Sequence, residues 1–322
     1  MTAGRTPMPN GSTIFTVAEG TYHFGVAALC NSLYRQGYRG SVWVGYRGAL
    51  PDWATAAAAN GAERWKELAV EDGFAVRFVA LDGTWHLGNC KPSFARRILD
   101  DLAPEASAVF YFDSDIVVRA RWAFFEEWIG YGVALVQDMW DPGMLPSHIF
   151  KKRWKAHAER LGYQCRDVPG YFNSGFIGVR RADDRFLTVW EDVLASIPAA
   201  GGDMRRLTLD DRNHPFAKMD QDALNIAVLA ANVEIATGSQ EMMEIYPWGD
   251  VMAHAMLFDK PWKRNYIADA VQGYPPGRPH LEYWRNVDGP IRPYSRGRLA
   301  AKRAAVAMAR AIGRVHHRSL HY

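Results

Sequence analysis

Short apolar runs alternate with amphipathic stretches along the first third of the chain. "IFTVA" (residues 14–18), "SVWVGY" (41–46), "AVRFVAL" (75–81) and "AVFYF" (108–112) are five to seven residues long and rich in β-branched and aromatic side chains. That pattern predicts buried strands. Between them, residues 22–36 and the segment "PDWATAAAANGAERWKELA" predict helices, and "PSFARRILDDL" sets Phe94, Ile98 and Leu102 four apart on one helical face. Strands and helices alternating at this spacing predict an α/β fold: a mostly parallel, twisted, Rossmann-like sheet flanked by helices.

The second half is less regular. "GVALVQD" (132–138) and "GFIGVR" (175–180) read as strands, and "HIFKKRWKAHAERLG" reads as an exposed helix. "DDRFLTVWEDVLASI" aligns Phe186, Trp190, Val193, Leu194 and Ile197 in one apolar stripe, and "DQDALNIAVLAAN" predicts a further helix. Pro- and Gly-rich residues 273–293 read as a linker. The expected organisation is a flexible start (1–12), one α/β domain (13–272), the linker, and a tail (294–322).

Charge changes the picture at that tail. From residue 289 to the end there are eight Arg or Lys and no Asp or Glu. Without them the chain has 30 basic against 35 acidic residues, so the alkaline pI belongs to the tail. "RGRLAAKRAAVAMARAIGRVHHR" predicts a basic helix with Ala301, Ala304, Met308, Ile312 and Val315 on one side and Lys302, Arg303, Arg310 and Arg314 opposite; Leu299 and Val306 fall on the basic side. Such a helix suits an anionic membrane surface as a peripheral anchor. No recognition motif supports nucleic-acid binding. Three scattered cysteines exclude a disulfide framework, and the start of the chain shows no apolar targeting segment, so the expectation is a cytoplasmic protein, peripheral at the inner face of the membrane.

Candidate chemistry begins at "FYFDSDIVVR" (110–119). In open α/β sheets ligands bind beyond the carboxyl ends of the strands, where this run delivers Asp113 and Asp115. Residues two apart on an extended backbone point the same way, so the two carboxylates are able to share a hard divalent cation. The plainer reading is a strand-ending turn. Three further stretches bear on the choice: "GYFNSGFIGVR", with a polar corner at Asn173; "MDQDALN", with Asp220 and Gln221 opening a helix; and "AHAMLFDKPWKR", with His254 six residues before Lys260.

Together these resemble family 8 glycosyltransferases, the GT-A-fold group that includes glycogenin, galactinol synthase and bacterial lipopolysaccharide glycosyltransferases. The resemblance covers roughly residues 13–265, with D-x-D, F-N-S-G, D-Q-D-x-L-N and H-x5-K-P-W in family order. It implies that Asp113, Asp115 and His254 bind Mn2+ (with Mg2+ as a substitute) bridging the diphosphate of a UDP-sugar. It implies further that Lys260 contacts that diphosphate, that Ser114 lies against the donor, and that Arg96, seventeen residues before Asp113, approaches it. Asn173 then lines the site, Asp220 holds donor-sugar hydroxyls, and Gln221 lies nearest the anomeric carbon. Glu19 and Tyr22 fall where the family contacts uracil, and Asp138 faces the donor or acceptor sugar. The chain departs from the family at Leu257, where Gly is usual, at Glu19, where Asp is commoner, and in a basic helix between Asp138 and Asn173.

The implied activity is metal-dependent hexosyl transfer from UDP-glucose, UDP-galactose or a close relative to a saccharide or lipid-linked acceptor. An amide at position 221 is a poor nucleophile, so the resemblance implies retention of configuration without a covalent intermediate, Asp220 and Asp222 being the alternative nucleophiles. Other readings are an inverting GT-A transferase, a nucleotidyltransferase, or a nucleotide-sugar or carbohydrate-binding protein without turnover. No general base is marked for inversion, and "AEGTYHFG" lacks the Gly-rich basic loop of nucleotidyltransferases.

Overall fold

A computed structural model describes residues 11–60, 64–245, 249–256 and 259–319. Residues 1–10, which make up most of the expected flexible start, and Leu257 lie outside them. In chain order the elements are β1 (Thr13–Glu19), α1 (His23–Arg35), β2 (Ser41–Arg47), β3 (Ala58–Asn60), β4 (Trp65–Glu71), β5 (Phe74–Ala80), α2 (Lys91–Arg97) and β6 (Ala108–Phe112). Then follow β7 (Ile116–Val118), α3 (Trp122–Trp128), β8 (Val133–Gln137), α4 (Ile149–Arg160), β9 (Phe172–Arg180), α5 (Arg185–Ser196) and α6 (Met219–Ala230). The chain continues through β10 (Ile235–Gly238), β11 (Met252–His254), α7 (Tyr266–Val271), α8 (Arg278–Asn286) and α9 (Arg296–Ser319).

The main sheet runs β10-β8-β9-β6-β1-β2-β5-β4-β3. Its centre, β6-β1-β2-β5, is parallel, as the alternation of apolar runs and helices predicts. Both margins are mixed: β9 runs antiparallel to β6 and β8, and β4 antiparallel to β3 and β5. Alternate side chains point to opposite sides, and β1 and β6 bury both faces while β5 leaves Ala75 and Arg77 half-buried on one. Ile14, Val42, Val44, Phe110 and Phe112 join α1 and α3 in one core, while Phe15, Trp43, Val79, Val109 and Tyr111 join α2, α5 and α6 in another.

Three expectations are corrected. The alanine-rich stretch around residues 51–69 holds β3 and β4 where a helix was expected. Pairing of β4 against β5, with Trp65, Leu68 and Val70 packed on the two cores, outweighs the helix preference of alanine and glutamate, which is a weak prior. Helix α4 is not fully exposed, since Lys151, Trp154, His157 and Ala158 are buried. Residues 273–293 carry α8, whose buried Tyr283 and Trp284 join Trp262, Tyr266 and Tyr294 in a third core. Helix α9 closes that core through Leu299, Val306 and Ala309. The two residues that spoiled the expected amphipathic wheel are therefore among those that attach the helix, and Met308, on the opposite side, is 54% exposed. No helix among the described residues is long and apolar enough to cross a membrane.

Candidate functional site

Strand β6 ends at Phe112, and the chain turns at once: the Asp113 carbonyl accepts from the Ile116 amide at 3.0 Å. Strand β7 then pairs antiparallel with β11, opposing His254 to Ile116, and the Ala255 amide donates to the Asp115 carbonyl at 3.1 Å. This small second ribbon carries an imidazole from far along the chain to the carboxylate pair. His254 Nε2 lies 3.3 Å from Asp115 Oδ1 and 3.6 Å from Asp113 Oδ2. Helix α1 approaches the Asp113–Asp115 turn so closely that a Cβ on Gly25 would stand 2.1 Å from the Ser114 carbonyl oxygen.

One potential ligand atom from each of Asp113, Asp115 and His254 lies within 4.8 Å of the other two. Oxygen and nitrogen ligands about 2.1 Å from one ion stand at such separations. The cradle is also cleared for them: a Cβ on Gly175 would fall 2.7 Å from His254 Cε1, 2.8 Å from Asn173 Oδ1 and 2.9 Å from Asp113 Oδ2. The donor set and the space therefore fit a divalent cation. Burial alone would raise the Asp115 pKa, but His254 and Lys260 hold it well below the usual carboxylate range. The Lys260 ammonium pairs with Asp115 Oδ2 and donates to the Ala255 carbonyl at 3.2 Å.

The cation trio opens on a cavity of about 460 Å3 at the carboxyl ends of β1 and β6. Glu19, Tyr22, Ser114, Asp138, Asn173, Asp220, Gln221 and Lys260 all line it, so the structure brings these expected residues together. Tyr22 sits edge-on to Trp262, with ring centroids 5.5 Å apart. Asn173 donates to Asp138 Oδ2 at 2.7 Å and accepts from the Gly175 amide at 2.8 Å. Gln221 Oε1 accepts from the Ser174 amide at 3.2 Å, which fixes the amide orientation because a backbone N–H requires an oxygen acceptor. Its buried Nε2 has no hydrogen-bond partner among the described residues.

Arg96 is not brought to the cavity. It lies on the outer face of α2, 40% exposed, 2.7 Å from Glu191 of α5. A different cation of the same helix takes the inner position. Lys91, 3% exposed, donates to Asp220 at 2.8 Å and to the Ser174 carbonyl at 3.0 Å, and lies 3.5 Å from Asp113. Burial alone would lower its pKa, and Asp113 and Asp220 outweigh that and raise it. Five residues along a helix turn a side chain by about 140°, so Lys91 and Arg96 face different ways. Sequence reasoning missed Lys91; its one signal is a lysine opening the otherwise apolar "KPSFA".

Also missed were His86, Trp140, Thr208 and Lys218, which form part of the outer wall. Burial lowers the Lys218 pKa, offset in part by Asp138. Behind this wall, burial pushes the Asp222 carboxyl up to about 7, while it accepts from the Tyr171 hydroxyl and the Lys218 amide, each at 2.7 Å.

No protein-family model and no curated protein matches the chain. Among solved structures, it is similar to the glycosyltransferase GlyE of Streptococcus pneumoniae (TM-score 0.48, 15% identity, 86% of this chain and 60% of that one). It is similar also to the bifunctional glycosyltransferase WbbM (TM-score 0.46, 14% identity, 88% of this chain), spanning 51% of that protein's length. A third likeness is to the galactosyltransferase LgtC, solved with donor and acceptor sugar analogs (TM-score 0.42, 16% identity, 79% of this chain and 90% of that one).

Proposed function

We propose that this protein is a metal-dependent, retaining glycosyltransferase of the family 8, GT-A type that moves a hexose from a UDP-sugar, UDP-glucose or UDP-galactose first, to a saccharide or lipid-linked acceptor. The observation that carries the reading is the convergence of Asp113, Asp115 and His254, with Lys260 beside them, at the strand-end cavity. A bound Mn2+, or Mg2+ in its place, supplies Lewis-acid help to a departing diphosphate. Lys260 adds a cation to the same leaving group. Glu19 and Tyr22 receive the uracil ring at the β1 end.

On the sugar side, Lys91 and the Ser174 hydroxyl hold Asp220 Oδ2, each at 2.8 Å, leaving Oδ1 to accept from a donor-sugar hydroxyl. Gln221 offers its free N–H to the sugar, since its oxygen is engaged by Ser174. The neutral Gln221 amide is a poor nucleophile, and an Asp220 paired with Lys91 is a weak one. The acceptor oxygen therefore attacks the anomeric carbon on the face the phosphate leaves. The C1–O bond to phosphate breaks as the new one forms, and the acceptor proton passes to the departing phosphate oxygen.

The exposed side of α9 bears on the lipid-linked option. Ala300, Ala304, Met308 and Ala311 are exposed there, with Arg303, Arg310 and Arg314 exposed along one flank. That combination suits an anionic leaflet. Sedimentation with vesicles of phosphatidylcholine and phosphatidylglycerol should weaken when all three arginines become glutamine, and equal sedimentation removes the membrane role.

The central test is UDP release from UDP-glucose and UDP-galactose with a panel of sugar acceptors. Release that needs Mn2+ is expected, with NMR of the first-formed product showing the donor's anomeric configuration. An inverted product points to the inverting reading, pyrophosphate release to a nucleotidyltransferase, and UDP-sugar binding without turnover to a binding protein.

A further inference from the structure

We propose that the mouth of the cavity is an acceptor subsite for the apolar face of a pyranose ring, with Trp140 as its platform, so that the acceptor presents a terminal sugar ring. This rests on the glycosyl-transfer reading and names the substrate class that it leaves open. Trp140, Met139 and Leu207 line the same cavity yet are 64%, 43% and 36% exposed. Large apolar side chains left in solvent around a polar cavity mark a surface that a ligand covers.

The indole is displayed by a rigid support. Asp138, buried, accepts the Trp140 amide at 3.0 Å and is held by Asn173 through its other oxygen and by Gln240, which donates to its carbonyl at 2.7 Å. Asn173 belongs to β9 and Asp138 directly follows β8, so the platform is tied to the sheet edge that carries the sugar-facing residues. Past the platform, Lys151 donates to the Met144 and Val168 carbonyls and pins the returning loop. An exposed ring on a backbone held by hydrogen bonds contributes contact area at a lower ordering cost than one on a free loop.

The surroundings of the ring select a sugar. Lys218 Nζ lies 4.8 Å from the indole centroid, and the ring's exposure leaves its opposite face to a ligand. The lining of the same cavity includes Thr208 and His86. A pyranose has an apolar C–H face bounded by hydroxyls, which matches a flat ring with an ammonium over one face, in a cavity whose lining also includes Thr208 and His86.

Saturation-transfer NMR on the full chain with UDP and Mn2+ tests the proposal, using methyl α-D-glucopyranoside, methyl β-D-galactopyranoside, lactose and octyl β-D-glucoside as probes. Wild-type protein should saturate ring protons of one sugar face in at least one probe. Trp140→Ala should reduce that signal about tenfold and Trp140→Phe should restore part of it, with UDP affinity within twofold of wild type in both. Unchanged ring signals in Trp140→Ala, no ring signal from any probe, or saturation confined to the octyl chain overturns the subsite. A wild-type chain that fails to bind UDP in Mn2+ sinks the glycosyl-transfer reading and the subsite together.

Discussion

Lys91 and Asp220 form a buried ion pair, 2.8 Å apart, across the inner wall of the cavity and across 129 residues of sequence. Each side chain is 4% exposed. Removing Lys91 leaves the Asp220 carboxylate with the Ser174 hydroxyl alone, which costs about 3–5 kcal/mol, whereas removing Asp220 leaves Lys91 3.5 Å from Asp113. Lys91→Met should therefore lower urea stability strongly and Asp220→Asn less, and the double variant should lose less than their sum by more than about 1 kcal/mol. Additive losses would show that the two groups are independent.

Gly175 governs the cation cradle from the backbone. An added methyl there would stand under 3.0 Å from His254, Asn173 and Asp113 side-chain atoms, all held by other contacts. Gly175→Ala should push the trio apart while leaving the core intact. In wild type, Mn2+ at one hundred times its dissociation constant should raise stability by about 2.7 kcal/mol. Thermal melts of Gly175→Ala with and without Mn2+ should coincide. A full Mn2+ response in the variant would place the ion elsewhere.

How much of this was legible in the residues follows from what each kind of signal reports. Strands β1 and β6 are buried on both faces and show as nearly unbroken apolar runs, and β2 and β5 keep enough buried apolar positions to read as strands although Tyr46 and Arg77 are only half-buried. Strands β3 and β4 lie at the sheet margin with mixed burial, and an alanine-rich edge carries no period to distinguish it from a helix. Asp113, Asp115 and His254 as a set came from the family resemblance, and their convergence depends on the β7–β11 ribbon, of which the short "MAH" gives little sign. Lys91 and Trp140 had no motif at all. A buried lysine is recognised only through its carboxylate partners, and an exposed tryptophan only by what surrounds it.

Asp222 gives the site a pH-dependent foundation. Its carboxyl is raised from 3.8 to about 7 in the folded protein, chiefly by burial. The native state then holds this proton more tightly than the unfolded chain, so the stabilisation is complete below about pH 4 and is lost as pH rises through about 7. Asp222→Asn keeps an acceptor for the Lys218 amide and has no proton to lose. Urea midpoints at pH 5 and pH 8 should show wild type losing stability relative to the variant by an amount on the order of a few kcal/mol. Parallel pH profiles would mean that Asp222 does not titrate in this window.

Helix α9 is the place where charge and packing make opposite forecasts. A detachable basic tail predicts that substitutions within it leave the domain's stability unchanged. The structure instead buries Leu299, Val306 and Ala309 against the core containing Trp284 and Tyr294, while Met308 looks outward. Leu299→Ala opens a gap in a core whose large rings are fixed by hydrogen bonds, Trp284 to the Tyr266 hydroxyl at 2.9 Å and Tyr294 to Tyr283 at 3.1 Å, so the core has little freedom to collapse. The loss should be about 2–4 kcal/mol, against less than about 0.5 kcal/mol for Met308→Ala on the exposed side. Equal, negligible losses in the two variants would return α9 to the status of a tail, and would separate the basic segment from the fold that carries the site.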